Sequence, residues 1–208
     1  FNCVSIEKIT IPSSITSIGD SSFSQCKSLK SFDIPSSVMK IGKSAFYDCS
    51  SLKQIKIPSS VVLIGPSAFQ KCSSLLQVEL PNSIEEIDLS LFEDCTALWQ
   101  VSIPESVKVI GSSAFRGCSA LMQIVIPSSV KKIDKGAFRG CSSLTKITIP
   151  HSVTSLGSAV FSLCTSLICV EIPSSLNSKN LGLPADFNIK FETNIYLQGN
   201  DLCTSYFF

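Results

Sequence analysis

The stretch Leu52-Lys53-Gln54-Ile55-Lys56-Ile57-Pro58-Ser59-Ser60-Val61-Val62-Leu63-Ile64-Gly65-Pro66-Ser67-Ala68-Phe69-Gln70-Lys71-Cys72 holds one complete structural unit. From Leu52 to Pro58 apolar and polar residues alternate, which predicts a half-buried strand with Ile55 and Ile57 inward. Pro58 closes that strand, because it has no N–H to give a ladder. Val61 and Ile64 bring the chain back toward the interior, and Gly65 permits a turn that residues with a Cβ find strained. Ser67-Ala68-Phe69 reads as a short helical turn that drops its aromatic ring inward.

The unit recurs along the chain. Proline stands at Pro12, Pro35, Pro58, Pro81, Pro104, Pro127, Pro150 and Pro173, always 23 residues apart. Cysteine keeps the same step from Cys3 through Cys26, Cys49, Cys72, Cys95, Cys118 and Cys141 to Cys164, and phenylalanine does so from Phe23 to Phe161. A unit this short cannot bury its own apolar face, so neighbours must stack and share one core. Stacked strands at ~4.8 Å per repeat form a parallel sheet along one side.

The rest of the composition agrees with a packed domain. Of 208 residues, 44% are hydrophobic and the mean hydropathy is +0.35, which is ample core material. The net charge of +1 lacks the basic excess that phosphate neutralisation requires, so nucleic acid is not an expected partner. No apolar run reaches the ~18 residues of a membrane-spanning helix.

The pattern L-x-x-I-x-I-x-x-S resembles the leucine-rich repeat, with serine where asparagine is commonest. That serine occurs in every unit: Ser14, Ser37, Ser60, Ser83, Ser106, Ser129, Ser152 and Ser175. Its hydroxyl can bond the backbone of the adjacent turn, as an asparagine ladder does. The unit I-P-S-S-V-x-x-I-G with A-F-x-x-C-x-S-L is similar to the BspA-type (Treponema pallidum-type) leucine-rich repeat, found in bacteria and in protists such as Trichomonas and Entamoeba. The resemblance covers roughly residues 3–176. It implies an α/β repeat solenoid: a right-handed superhelix with a parallel β-sheet on the concave face and short irregular or helical turns on the convex face. It also implies a non-enzymatic protein-binding module at the cell surface or secreted, attaching to host or extracellular-matrix proteins. An intracellular or membrane-associated scaffold is the alternative.

Residues 1–176 read as eight repeats and residues 177–208 as a C-terminal capping element, because the proline, cysteine and phenylalanine columns stop there. Phe187-Asn188-Ile189-Lys190-Phe191 alternates like a strand that Ile195-Tyr196-Leu197 could join. The chain opens at Phe1 inside a repeat, as a piece of a longer protein or a mature form would, with any signal peptide already removed.

Eight of the ten cysteines sit at one fixed place per repeat, where cysteine behaves as a small buried hydrophobe. Column neighbours have parallel Cβ vectors, which disfavours bridging. Cys169 and Cys203 lie off the column and could pair if the end folds back. No C-x-x-C or Cys/His cluster suggests a metal, and no cofactor motif occurs. The single histidine, His151, follows Pro150 at a variable position and reads as a surface residue. The acidic cluster Glu85, Glu86, Asp88, Glu93 and Asp94 precedes the basic Lys108, Arg116, Lys131, Lys132, Lys135 and Arg139, which suggests salt bridges between adjacent units. Catalysis is not indicated.

If the core columns fix the scaffold, recognition falls to columns that vary and face outward. One sheet-face column carries Gln54, Gln77, Gln100 and Gln123 in consecutive units, spaced for amide-to-amide bonding. The next carries Asp33, Lys56 and Glu79, whose alternating signs should pair across strands. At the strand entrance the column reads Glu7, Lys30, Lys53, Leu76, Trp99, Met122, Thr145 and Ile168, mostly polar in the outer repeats, while Leu76, Trp99 and Met122 stand side by side. Exposed apolar patches mark interaction sites and tryptophan is a frequent hot spot, so this rim is the first candidate for a protein partner.

Overall fold

The structure is a computed structural model, and it describes residues 5–176, 180–183, 187 and 189–192. Along one side the strands Lys8–Thr10, Ser31–Asp33, Gln54–Lys56, Gln77–Glu79 and Gln100–Ser102 form a parallel sheet. Phe32 pairs with Ile55 and Val78 with Val101, so the register is the repeat itself. The central residue of each strand from Phe32 onward is buried between two outward ones, as the alternation requires. Pairing lapses at residues 123–125 and resumes with Lys146–Thr148 and Cys169–Pro173.

A second set of ladders, not expected from the sequence, runs alongside. The two-residue strands Ser17–Ile18, Lys40–Ile41 and Leu63–Ile64 pair in parallel, and Glu86–Ile87, Val109–Ile110, Lys132–Ile133 and Ser155–Leu156 do the same. The reason lies in the V-x-x-I spacing: the valine and the isoleucine both turn inward, which straightens the two residues ending at the isoleucine. Between the two strand sets the proline works twice. It ends the first strand, and its carbonyl accepts from the valine three residues on, as at Pro58 to Val61 (3.0 Å), making a turn. The column serine in that turn then donates across the stack: Ser37 to the Ile15 carbonyl (2.6 Å), Ser60 to Val38 (2.7 Å) and Ser129 to Val107 (2.7 Å). Ser106 and Ser152 stand in the same column with their hydroxyl oxygens buried and without such a partner, and nothing around them explains the difference.

The expectation of an α/β fold with helical turns is corrected here. No helix occurs among the described residues, and the chain is a parallel-strand β-solenoid of about 7 turns. The residues two before and two after each phenylalanine have left-handed backbones, as at Ser44 (φ 53°) and Asp48 (φ 56°), or Ser67 (56°) and Lys71 (62°). A left-handed residue every few positions breaks any right-handed helical run. The segment becomes a series of three-residue turns, with Ala45 N–H donating to the Gly42 carbonyl and Cys49 N–H to that of Phe46. The remaining amides reach the next repeat. Phe46 N–H donates to the Ala68 carbonyl (2.8 Å) and Phe92 N–H to that of Ala114 (2.8 Å). The polar backbone of the turn side is therefore satisfied lengthwise, and helices are not needed.

Two columns make the centre of the core. Phe23, Phe46, Phe69, Phe92, Phe115, Phe138 and Phe161 stack with ring centroids 5.4–6.3 Å apart and interplanar angles of 15° or less. Behind them the column cysteines from Cys26 to Cys164 are buried and not joined in disulfides. From Cys49 on, each Sγ–H donates to the phenylalanine carbonyl of the preceding repeat, as Cys72 does to Phe46 (3.2 Å) and Cys95 to Phe69 (3.1 Å). The thiol is thus both a small apolar filler and a weak donor, matched to a carbonyl that recurs at one height per repeat.

At the C-terminal end Lys190–Glu192 adds a rung in parallel to Cys169–Pro173, with Ile172 opposite Phe191. Leu181 is buried, and Leu183, Phe187 and Ile189 pack against the core. The strand expected over residues 187–191 begins later and pairs with a repeat neighbour. Its expected hairpin partner, residues 195–197, lies outside the described residues, as does Cys203.

Two expectations follow from the core. Phe92→Ala, in the middle of the ring stack, should lower stability by about 3–5 kcal/mol, and Phe23→Ala, at the half-buried end, by clearly less. Urea unfolding of the two variants checks the order. Burial also pushes the Cys164 thiol up to about 11 and the Cys49 thiol up to about 12, against an ordinary 9.0. The fold therefore holds protons that the unfolded chain releases. Stability should stay level up to about pH 9 and fall as pH rises toward about 11–12. Thermal melts across that range, repeated on a Cys72→Ala/Cys118→Ala variant with a flatter dependence expected, measure the effect.

Candidate interaction surface

The outward residues of the first sheet line a broad groove of about 1220 Å³. Gln54, Gln77 and Gln100 lie in register on consecutive rungs and contribute to its wall. Gln123 is exposed on the next repeat, where the ladder lapses, and is not part of the lining. The structure thus brings together three of the four glutamines.

Asp33, Lys56 and Glu79 line the same groove, and Asp33 lies in register with Lys56. Their expected pairing across strands is not found: among the described residues no salt bridge reaches any of the three. The neighbouring rungs hold these charges within reach of one another but exposed, where pairing gains little over hydration. The groove therefore keeps a negative, a positive and a negative side chain available, flanked by amides. In the separate three-stranded sheet beyond the lapse, Glu171, which continues this column, is paired. Lys146 bridges to Glu171 (3.1 Å), and the Thr148 hydroxyl donates to Glu171 (2.7 Å).

The rim at the strand entrance is built by backbone bonds that climb the stack. Leu76 N–H donates to the Lys53 carbonyl (3.1 Å) and Trp99 N–H to that of Leu76 (3.0 Å). Their side chains are not folded away. Leu76 is 44% exposed, Trp99 42% and Met122 54%. Val125, on the lapsed strand, is 81% exposed, a residue that periodicity places outward but does not mark as a site. Sequence reasoning also missed Ser59 and Asn82, which line the groove from the turns beyond the strands. Their signal was the variable position after the proline, noticed only at His151, which is exposed elsewhere on the same column.

Charge on the turn side follows the expected order in part. Glu93 receives Arg116 from the next repeat (3.0 Å) and the Gln70 amide from the preceding one (2.9 Å). Lys71 stands 5.5 Å from the Tyr47 ring centroid, and a hydrogen bond with that phenol raises its pKa. Partial burial raises the Glu86 carboxyl, helped by Asp88 and Asp134 and opposed by Lys132. Among the described residues no group of three or more His, Cys, Asp and Glu side chains is placed to hold a metal ion, and no helix is long and apolar enough to cross a membrane.

The stacked sheet, the turn ladders and the phenylalanine spine can be set beside known proteins. No protein of curated function is similar to this chain. A leucine-rich-repeat protein of Treponema pallidum is similar at 36% identity and a TM-score of 0.73, over 77% of this chain and 78% of that one. A leucine-rich-repeat protein from Bacteroides ovatus is 26% identical with a TM-score of 0.61, and the match covers 92% of this chain and 61% of that one. A leucine-rich cell surface protein from Faecalibacterium prausnitzii is 29% identical with a TM-score of 0.60, over 92% and 61%. The chain thus spans about three fifths of these two longer proteins. The profile of the BspA-type leucine-rich-repeat region matches residues 1–121 and 85–191, in 6 copies. With nearly its whole length matched, this chain belongs to the BspA-type leucine-rich-repeat family.

Proposed function

We propose that the chain is a non-enzymatic protein-binding module of a surface protein, docking a partner protein through the rim formed by Leu76, Trp99 and Met122. The observation that carries the reading is the half-exposure of these large apolar side chains on three consecutive repeats whose other rim positions are mostly polar. A solenoid holds such residues rigidly, so little conformational entropy is lost when a partner covers them. The groove glutamines Gln54, Gln77 and Gln100 would supply polar contacts at its edge, with Gln123 beside Met122.

Two further facts support a surface setting. A similar protein is described as a leucine-rich cell surface protein. Cys169 is disulfide-bonded, which suits an oxidising compartment. The proposed role is attachment to host or extracellular-matrix proteins. The second reading, an intracellular or membrane-associated scaffold, draws on the buried column cysteines, which among the described residues are not joined in disulfides. From Cys49 to Cys164 those thiols hydrogen-bond to carbonyls of the preceding repeat and need no reducing environment to stay apart, so they weigh less than the disulfide.

The test compares the chain with a Leu76→Glu/Trp99→Glu/Met122→Glu variant of unchanged circular dichroism. Binding to immobilised extracellular-matrix proteins should fall by at least about 100-fold, since hot-spot truncations each cost ~2 kcal/mol or more. Equal binding by both proteins would reject the rim. A thiol titration of native and denatured material decides the compartment: persistence of the Cys169 disulfide under cytosolic glutathione conditions favours the surface, and its ready reduction favours the scaffold.

A further inference from the structure

The second ladder carries a cationic strip that neither the groove nor the rim uses. Lys108 and Lys131 occupy the same position of consecutive repeats and are joined directly, the Lys131 N–H donating to the Lys108 carbonyl at 2.8 Å. Lys132 follows, in register with Val109 and Ser155, and Lys135 stands three residues on. All four side chains are exposed. Asp134 lies among them and pairs with Lys132 at 3.0 Å. Among the described residues no salt bridge reaches Lys108, Lys131 or Lys135.

This charge is a local concentration, since the whole chain carries only +1. The stack fixes successive rungs ~4.8 Å apart. Lys108 and Lys131 therefore start from neighbouring rungs, and their exposed side chains bring two positive charges to one stretch of surface. The acids that could relieve them lie on the preceding repeat. Glu85 accepts the Lys108 N–H through its backbone at 2.7 Å, yet its carboxylate forms no salt bridge. The acidic side chains of that repeat instead bound the strip at one end.

We propose that this strip binds a linear sulfated polysaccharide, at a site separate from the protein-docking rim. A sulfated chain carries several anionic groups along its length, which suits Lys108 and Lys131 on successive rungs with Lys132 and Lys135 beside them on the second rung's repeat. Lysine is a compact point charge that meets single sulfate oxygens without needing a planar partner. The alternatives fit less well. Protein-interface cores are depleted in lysine and enriched in aromatic residues, and the strip is four lysines set among serines such as Ser112, Ser113 and Ser155, with no aromatic. A single-stranded nucleic acid would call for a series of aromatic stacking platforms, and the outward aromatic of these repeats, Trp99, stands at the strand entrance on the rim rather than among the lysines.

The test measures binding of the chain to heparin, with poly-glutamate as the acidic-protein counterpart, across a salt series. A Lys108→Gln/Lys131→Gln/Lys135→Gln variant is compared with Lys40→Gln/Lys43→Gln/Lys53→Gln, which removes equal charge elsewhere. Heparin should bind more tightly than poly-glutamate. The strip variant should lose roughly tenfold or more in affinity and show a shallower salt slope, because fewer counterions are released. The control variant should bind within about twofold of the parent. The proposal is overturned if heparin fails to bind, if poly-glutamate binds as tightly, or if both variants lose affinity equally. The Leu76→Glu/Trp99→Glu/Met122→Glu variant should keep its heparin affinity, so failure of the strip and failure of the rim are read separately.

Discussion

Every repeat in this protein can satisfy its backbone and its apolar face only on the repeats 23 residues before and after it. The first sheet, the short second ladders and the turn amides all bond lengthwise, as in the pairs Phe32–Ile55 and Ile41–Ile64 and in the bond from Phe46 to Ala68. Little within a single unit stabilises it alone. The phenylalanine spine, the thiol bonds and the serine bonds are therefore three readings of one condition: whatever atom a repeat presents to its neighbour, the neighbour presents the complementary atom at the same height.

That condition accounts for features that look unfavourable one residue at a time. Left-handed backbones at Ser44, Asp48, Ser67 and Lys71 cost energy for residues other than glycine. They persist because the turn they create aims its amides at the next repeat and its aromatic ring into the stack. Buried thiols whose ionisation is suppressed are tolerated for the same reason. At Cys95 the Sγ–H meets the Phe69 carbonyl, so the neutral thiol is the form the core accommodates.

A scaffold held so uniformly leaves its outward columns free to vary, and three of them vary in different ways on different parts of the surface. The groove of the first sheet is amide-rich with exposed charges of both signs. The rim beside it is apolar at Leu76, Trp99 and Met122. The second ladder is cationic at Lys108, Lys131 and Lys135. The rigid rung spacing gives each column a linear layout, and linear layouts suit extended partners. Separate columns can then carry partners of different chemistry on one backbone.

The sequence by itself determined the repeat, the strand with Ile55 and Ile57 inward and closed by proline, the buried cysteine and phenylalanine columns, and which residues of each column differ. Period-2 alternation and a strict spacing are local, and every repeat states them again. It did not determine the backbone of the turn segment. Ser67-Ala68-Phe69 has ordinary helical propensity, and only its neighbours' carbonyls, available at rung spacing, make left-handed turns the better way to satisfy the amides. The second ladders escaped notice because two residues are too few to show a period. Nor could the sequence say that Asp33, Lys56 and Glu79 stay unpaired, that Gln123 drops out of the ladder its three predecessors form, or that Lys108 and Lys131 lack acidic partners. Those outcomes depend on where side chains end in space once the stack has fixed their origins, and that is decided by the tertiary structure alone.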